Sequence, residues 1–158
     1  MRDPLEQPEK AIRRVYAYVA YRIGAGPRAE TVTSATLERA IRYRSSYRKD
    51  DGSPAVWLMR IARRCVDDAE MSLRERASSG EIEVEAGERA VQAAAPTDLP
   101  RAMAGLDARA RDLLALRYGA ELSSKEIGRI YEMSAGAVEI ALRRALNDLR
   151  PAQEQAKY

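Results

Sequence analysis

The residues of this chain with useful chemistry are suited to recognition, not to bond making. None of the 158 residues is histidine, and Cys65 is a lone cysteine. That removes the usual general base, the Ser-His triad, any disulfide framework and the common zinc sites. No carboxylate cluster, glycine-rich phosphate loop or metal-ligand spacing stands out. No catalytic residue, metal or cofactor is therefore expected, and the chain does not read as an enzyme. Two groups of side chains have the types that nucleic acid needs. Ser134, Ala135, Ala137, Val138 and Glu139, with Arg143 and Arg144 just beyond, combine small side chains with two cations. Small residues let a helix approach base edges, and arginines hold phosphates. Tyr43, Arg44, Tyr47, Arg48, Lys49 and Asp50 place aromatic rings among cations.

The first group must be positioned by the stretch from Leu122 to Arg150. Ser123 followed by Glu126 has the spacing of a capping box. Ile127, Ile130 and Tyr131 then share a helical face. Glu132 and Met133 make a short turn, and Ser134 caps a second helix. Val138, Leu142, Ala145 and Leu149 form its buried stripe, and Pro151 is expected to end it. This is the pattern of a helix-turn-helix whose second helix enters a major groove. The plainer reading is an αα-hairpin in a helical domain, with Arg143 and Arg144 on a solvated face.

The second group spans the end of one predicted helix and the loop before the next. One starts at Pro27 and runs to about Tyr47. Its partner starts at the Ser53-Pro54 cap and runs to about Leu73, burying Trp57, Leu58, Ile61, Ala62, Cys65 and Ala69. Trp57 reads as core more than as a stacking platform; Tyr43 suits either role equally. Before them, Glu9 to Ile23 predicts a helix on Ile12, Val15, Tyr16, Val19, Ala20 and Ile23, with Arg13, Arg14 and Arg22 off that stripe. Further on, Leu99, Met103 and Leu106 suit a short helix. Asp107 caps another that carries Leu113, Leu114 and Leu116 and closes at Gly119.

Charge divides the chain. Residues 9–71 carry roughly five excess positives, 72–100 roughly three excess negatives and 101–150 roughly two positives, within a formal net charge of +3. Periodicity disappears from about Arg74 to Pro96, which reads as an acidic tether. The expected fold class is all-α: two small helical domains at 1–73 and 98–158, joined by a linker at 74–97. No apolar run is long enough to span a bilayer and no signal peptide is evident, so a cytoplasmic location is expected.

The Ser-Pro-Ala-Val-Trp-Leu-Met-Arg-Ile-Ala-Arg-Arg run at 53–64 resembles region 2 of a bacterial extracytoplasmic-function (ECF) sigma factor. Leu106 to Arg150 resembles region 4 of that family, with Leu116-Arg117-Tyr118 before the turn and Ser134-Ala135-Gly136-Ala137-Val138 opening the recognition helix. The resemblance implies a monomer that binds core RNA polymerase and promoter DNA, and it leaves room for an anti-sigma factor. It implies −35 contacts from the recognition helix and −10 contacts from the loop at Tyr47 to Ser53 with the residues just before it, where Tyr43 and Tyr47 could stack on an unstacked base. It places polymerase contacts on Glu30, Thr33, Ser34 and Leu37. Where the family often reads Ala-Glu-Asp-Leu-Val-Gln-Glu, this chain has Ala29-Glu30-Thr31-Val32-Thr33-Ser34-Ala35. Where the family's recognition helix often has Lys and Arg, it has Glu139 and Ala141. Two other readings stay open: a sigma mimic that captures an anti-sigma factor without promoter activity, and a plain helix-turn-helix regulator.

Overall fold

The computed structural model describes the backbone of residues 3–80, 103 and 105–156, and side chains as far as Leu149. Of the expected linker at 74–97, residues 81–97 lie outside the described residues, as does most of the short helix expected around Leu99. Among those described there are helices and turns and no strand.

The first module has three helices. Helix α1, Pro8–Ile23, stops at Gly24, whose φ of 90° lies in the left-handed region. Helix α2, Pro27–Tyr43, opens on proline at its first position, where the missing N–H costs nothing. It ends earlier than its apolar periodicity predicts: Arg44–Ser46 tighten into a 3-10 turn. A second such turn, Lys49–Asp51, leads to Ser53, whose side chain accepts from Val56 N at 3.2 Å and caps helix α3, Pro54–Ser78. Helix α3 runs a turn past the expected end at Leu73.

The second module is built on α4, Ala108–Leu114, capped by Asp107. It widens into a π segment at Ala115–Gly119, so Gly119 lies inside a turn and not just past a helix end. Helix α5, Ser124–Tyr131, has the full Ser123–Glu126 capping box. Glu132 turns the chain with φ 56°, and helix α6, Ala135–Ala156, follows. Contrary to expectation, α6 runs through Pro151. Proline removes one hydrogen bond and bends the ladder, but it does not forbid the next turn where the freed carbonyl can reach water.

One apolar core links both modules. Val15, Val19, Leu58, Met59, Ala62 and Val66 from the first belong to the same cluster as Leu113, Leu114, Leu116, Ile127, Val138 and Leu142 from the second. Each fully buried side chain of this size contributes roughly 1.5–3 kcal/mol. The π segment comes close to α1 at Gly119, where a Cβ would lie 2.9 Å from the Ala17 carbonyl oxygen and 3.0 Å from Tyr18 Cα. Only a residue without a side chain lets the π segment seat on α1.

Candidate nucleic-acid interface

The seam between the modules is polar at its centre. The Asp112 carboxylate of α4 is 3% exposed and accepts four hydrogen bonds. Tyr18 Oη and Arg22 Nη1 (2.8 Å) serve Oδ1; Arg63 Nε (2.8 Å) and Tyr131 Oη serve Oδ2. A carboxylate offers about four acceptor directions, so this one is saturated. Burial would raise the Asp112 carboxyl, but the Arg63 and Arg22 guanidiniums and the two tyrosine hydroxyls outweigh it and hold it below the usual range. Burial and the neighbouring carboxylate push both tyrosines up, Tyr18 well above its usual value. Arg22 also reaches Asp67 at 3.0 Å and Glu70 at 3.4 Å. The Tyr131 ring lies between Arg63 and Arg109, 4.6 and 5.4 Å from its centroid.

Sequence reasoning placed Arg22 off the buried stripe, yet it is 8% exposed. Its guanidinium enters the interior because the second module brings Asp112 to meet it. A long arginine stem can pack as apolar surface while its head finds a partner.

A second polar seam joins two helix starts. Glu126 accepts from Ser123 N at 3.0 Å and from the Ser53 hydroxyl at 2.8 Å. It therefore completes the cap of α5 while touching the cap of α3. A third seam holds the loop before α3. Arg129 Nη2 donates to the Asp50 carbonyl at 2.5 Å, and Arg60 bridges the carbonyls of Asp51 (3.1 Å) and Arg129 (2.9 Å).

The loop residues read from sequence divide into two sets. Tyr43 is half exposed, and Arg44, Arg48, Lys49 and Asp50 are exposed. Arg44 pairs with Asp3 at 3.7 Å between exposed groups, a contact of little weight. Tyr47 departs from its expected role: it is 5% exposed, its hydroxyl donates to the Gly52 carbonyl at 3.0 Å, and its ring meets Trp57 edge-on at 5.8 Å. Tyr47 and Trp57 are thus the support under the loop, and Tyr43 is the ring left at the surface.

The recognition helix divides in the same way. Ser134 caps α6 through Ala137 N at 3.1 Å. Ser134, Ala135, Glu139, Arg143 and Arg144 are exposed and Ala137 is half-buried. Val138 does not belong with them: it is fully buried, because it lies on the same stripe as Leu142, Ala145 and Leu149. The Glu139 carboxylate is turned back on its own module. It accepts from the Ser124 hydroxyl and lies 3.7 Å from Arg117. The tight turn before α6 depends on Gly128, where a Cβ would fall 2.3 Å from the Met133 carbonyl oxygen.

On α2, Glu30 and Ser34 are exposed and Leu37 is half-buried. Thr33 is 6% exposed and its hydroxyl donates to the Ala29 carbonyl at 2.7 Å, so it belongs to the helix packing and not to an outward face.

Sequence reasoning missed Arg129, Arg117 and Ser124, which had no signal beyond ordinary helix-surface polarity. It also passed over Ile140, although an isoleucine opposite an apolar stripe is itself a signal.

The described residues thus form two helical modules, one carrying a helix-turn-helix with an exposed outer face and the other a basic loop at the surface. The family model "Sigma-70 region 2" matches residues 9–76, and "Sigma-70, region 4" matches residues 102–151. The two models together cover most of the chain, which belongs to the sigma-70 family. It is 27% identical over 143 residues to the ECF RNA polymerase sigma factor BldN of Streptomyces coelicolor; the match covers 85% of this chain and 54% of that protein. The chain thus spans about half the length of this relative. Among the described residues no helix is long and apolar enough to cross a membrane, and no group of His, Cys, Asp or Glu has the arrangement of a metal site.

Proposed function

We propose that this chain is an ECF-type sigma factor that directs core RNA polymerase to specific promoters. In this reading residues 1–73 meet the polymerase through Glu30, Ser34 and Leu37, and the −10 element through Tyr43, Arg44, Arg48, Lys49 and Asp50. Residues 98–158 meet the −35 element through the outer face of α6, and the residues after α3, 79–97, link the two. Neither contact is bond chemistry. Two weak sites docked on one polymerase surface reinforce each other through effective concentration. The working location is the cytoplasm, and the free chain is monomeric, with an anti-sigma factor as a further class of partner.

The observation that carries this reading is the order of both family regions on one chain, with Arg143 and Arg144 exposed and unpaired among the described residues. The test is reconstitution with core polymerase on a genomic promoter library. Discrete run-off transcripts support it; silence on every template overturns it.

One feature of α2 favours a second reading, a sigma-like protein that captures an anti-sigma factor. With Thr33 turned inward, Glu30, Ser34 and Leu37 remain of the expected polymerase face, and of these Glu30 alone is charged. Charged hydrogen bonds across an interface contribute about 1.5–3 kcal/mol each. A chain that fails to co-purify with core polymerase but binds an anti-sigma factor fits this second reading.

A further inference from the structure

We propose that Ile140 sets part of the −35 sequence preference by packing against the methyl group of a thymine. This rests on the reading of α6 as a major-groove helix and adds a base-reading residue to it. Ile140 is 54% exposed and lies opposite the buried stripe of Val138, Leu142, Ala145 and Leu149. It therefore sits at the centre of the outward face and not at its margin. Gly136 lies one turn before it, and a Cβ there would meet nothing within 4 Å. Arg143 and Arg144 follow it, exposed and unpaired among the described residues, and Asn147 is exposed one turn further on. The face thus has a flat opening, one apolar centre and two cations.

The charged alternative at this end of the helix is already engaged. The Glu139 carboxylate is bound to Ser124 and lies near Arg117, so it is directed away from the outward line. What remains to touch a base edge in the second turn of the helix is a branched hydrocarbon. The major groove displays one hydrocarbon group, the C5-methyl of thymine, and apolar side chains read it by contact. A single isoleucine between a glycine and two arginines is a small target for a protein partner. The arginines favour a polyanion around it.

The experiment uses the full chain at low salt and a duplex pool randomised over one helical turn. From the selected duplexes, each thymine is replaced in turn by deoxyuridine, which removes only the methyl group. We expect one position where this weakens wild-type binding about fourfold, the weight of one buried methyl. Ile140→Ser should bind the parent duplex less tightly and show no penalty at that position. Ile140 does not pack in the core, so the variant should keep the wild-type melting midpoint. If selected duplexes tolerate every deoxyuridine, or if Ile140→Ser keeps the same penalty, the inference is overturned while DNA binding by α6 stands. If the pool yields no preferred sequence and no duplex is bound, the major-groove reading itself falls, and the inference with it.

Discussion

Arg22 Nη1 donates to Asp112 Oδ1 across 2.8 Å, although 90 residues separate them. Their side chains are 6% and 4% exposed. This contact helps to fasten the first module to the second. An ion pair this dry repays its desolvation only when all its hydrogen bonds are made, and here they are.

Replacing one partner should therefore be costly. Asp112→Asn keeps the shape but removes the charge that Arg22 and Arg63 face. Breaking a buried pair from one side costs about 3–5 kcal/mol. Urea unfolding should show a midpoint lowered accordingly. An unchanged midpoint would mean that water reaches this cluster freely.

The same cluster gives stability a pH dependence with a definite sign. The folded Asp112 carboxyl lies below its unfolded value, so its contribution is present above the normal carboxyl range and is lost as pH falls through the folded value. Tyr18 and Tyr131 are raised, so their contribution is present below the normal tyrosine range and is lost as pH rises through their folded values. Thermal midpoints should form a plateau at neutral pH with a fall on both sides. In Asp112→Asn the acid-side fall should be shallower.

Glycine positions should separate by what surrounds them. Gly119→Ala forces a methyl group against the Ala17 carbonyl and Tyr18 backbone, and overpacking of this kind costs about 1–3 kcal/mol. Gly136→Ala meets nothing and should stabilise α6 by about 0.5–1 kcal/mol. Paired denaturation curves check both signs at once.

Arg143→Ala should weaken binding about equally on all duplexes. The slope of log affinity against log salt should become shallower by about 0.9. Loss confined to one sequence would reassign Arg143 from phosphate to base.

Glu139→Lys exchanges an anion near the duplex for a cation. Non-specific affinity should rise and the salt slope should steepen, also by about 0.9. Because the exchange also breaks the part-buried hydrogen bond from Ser124, a melting curve should show a loss of about 1.5–3 kcal/mol.

Much of the local structure was legible in residue order alone. The caps at Ser53, Asp107, Ser123 and Ser134 are short-range hydrogen bonds, so spacing is enough to find them. The helical stripes and the small residues opening α6 follow from a period of 3.6. The end of α6 did not follow, because proline weakens a helix locally and the surroundings decide whether it stops. The double role first given to Val138 arose because sequence places it in the approaching turn, while only packing shows which way it faces.

The sequence by itself determined the helices, their caps, the turn at Glu132 and the family, because these depend on neighbours a few positions apart. The tertiary structure decided that Arg22 is interior, that Tyr47 supports the loop and leaves Tyr43 outside, and that Glu139 is turned back to Ser124. It alone brought Asp112 to Tyr18, Arg22 and Arg63. Those placements depend on contacts between residues tens of positions apart, and a buried charge has no pattern in the chain that announces its partner.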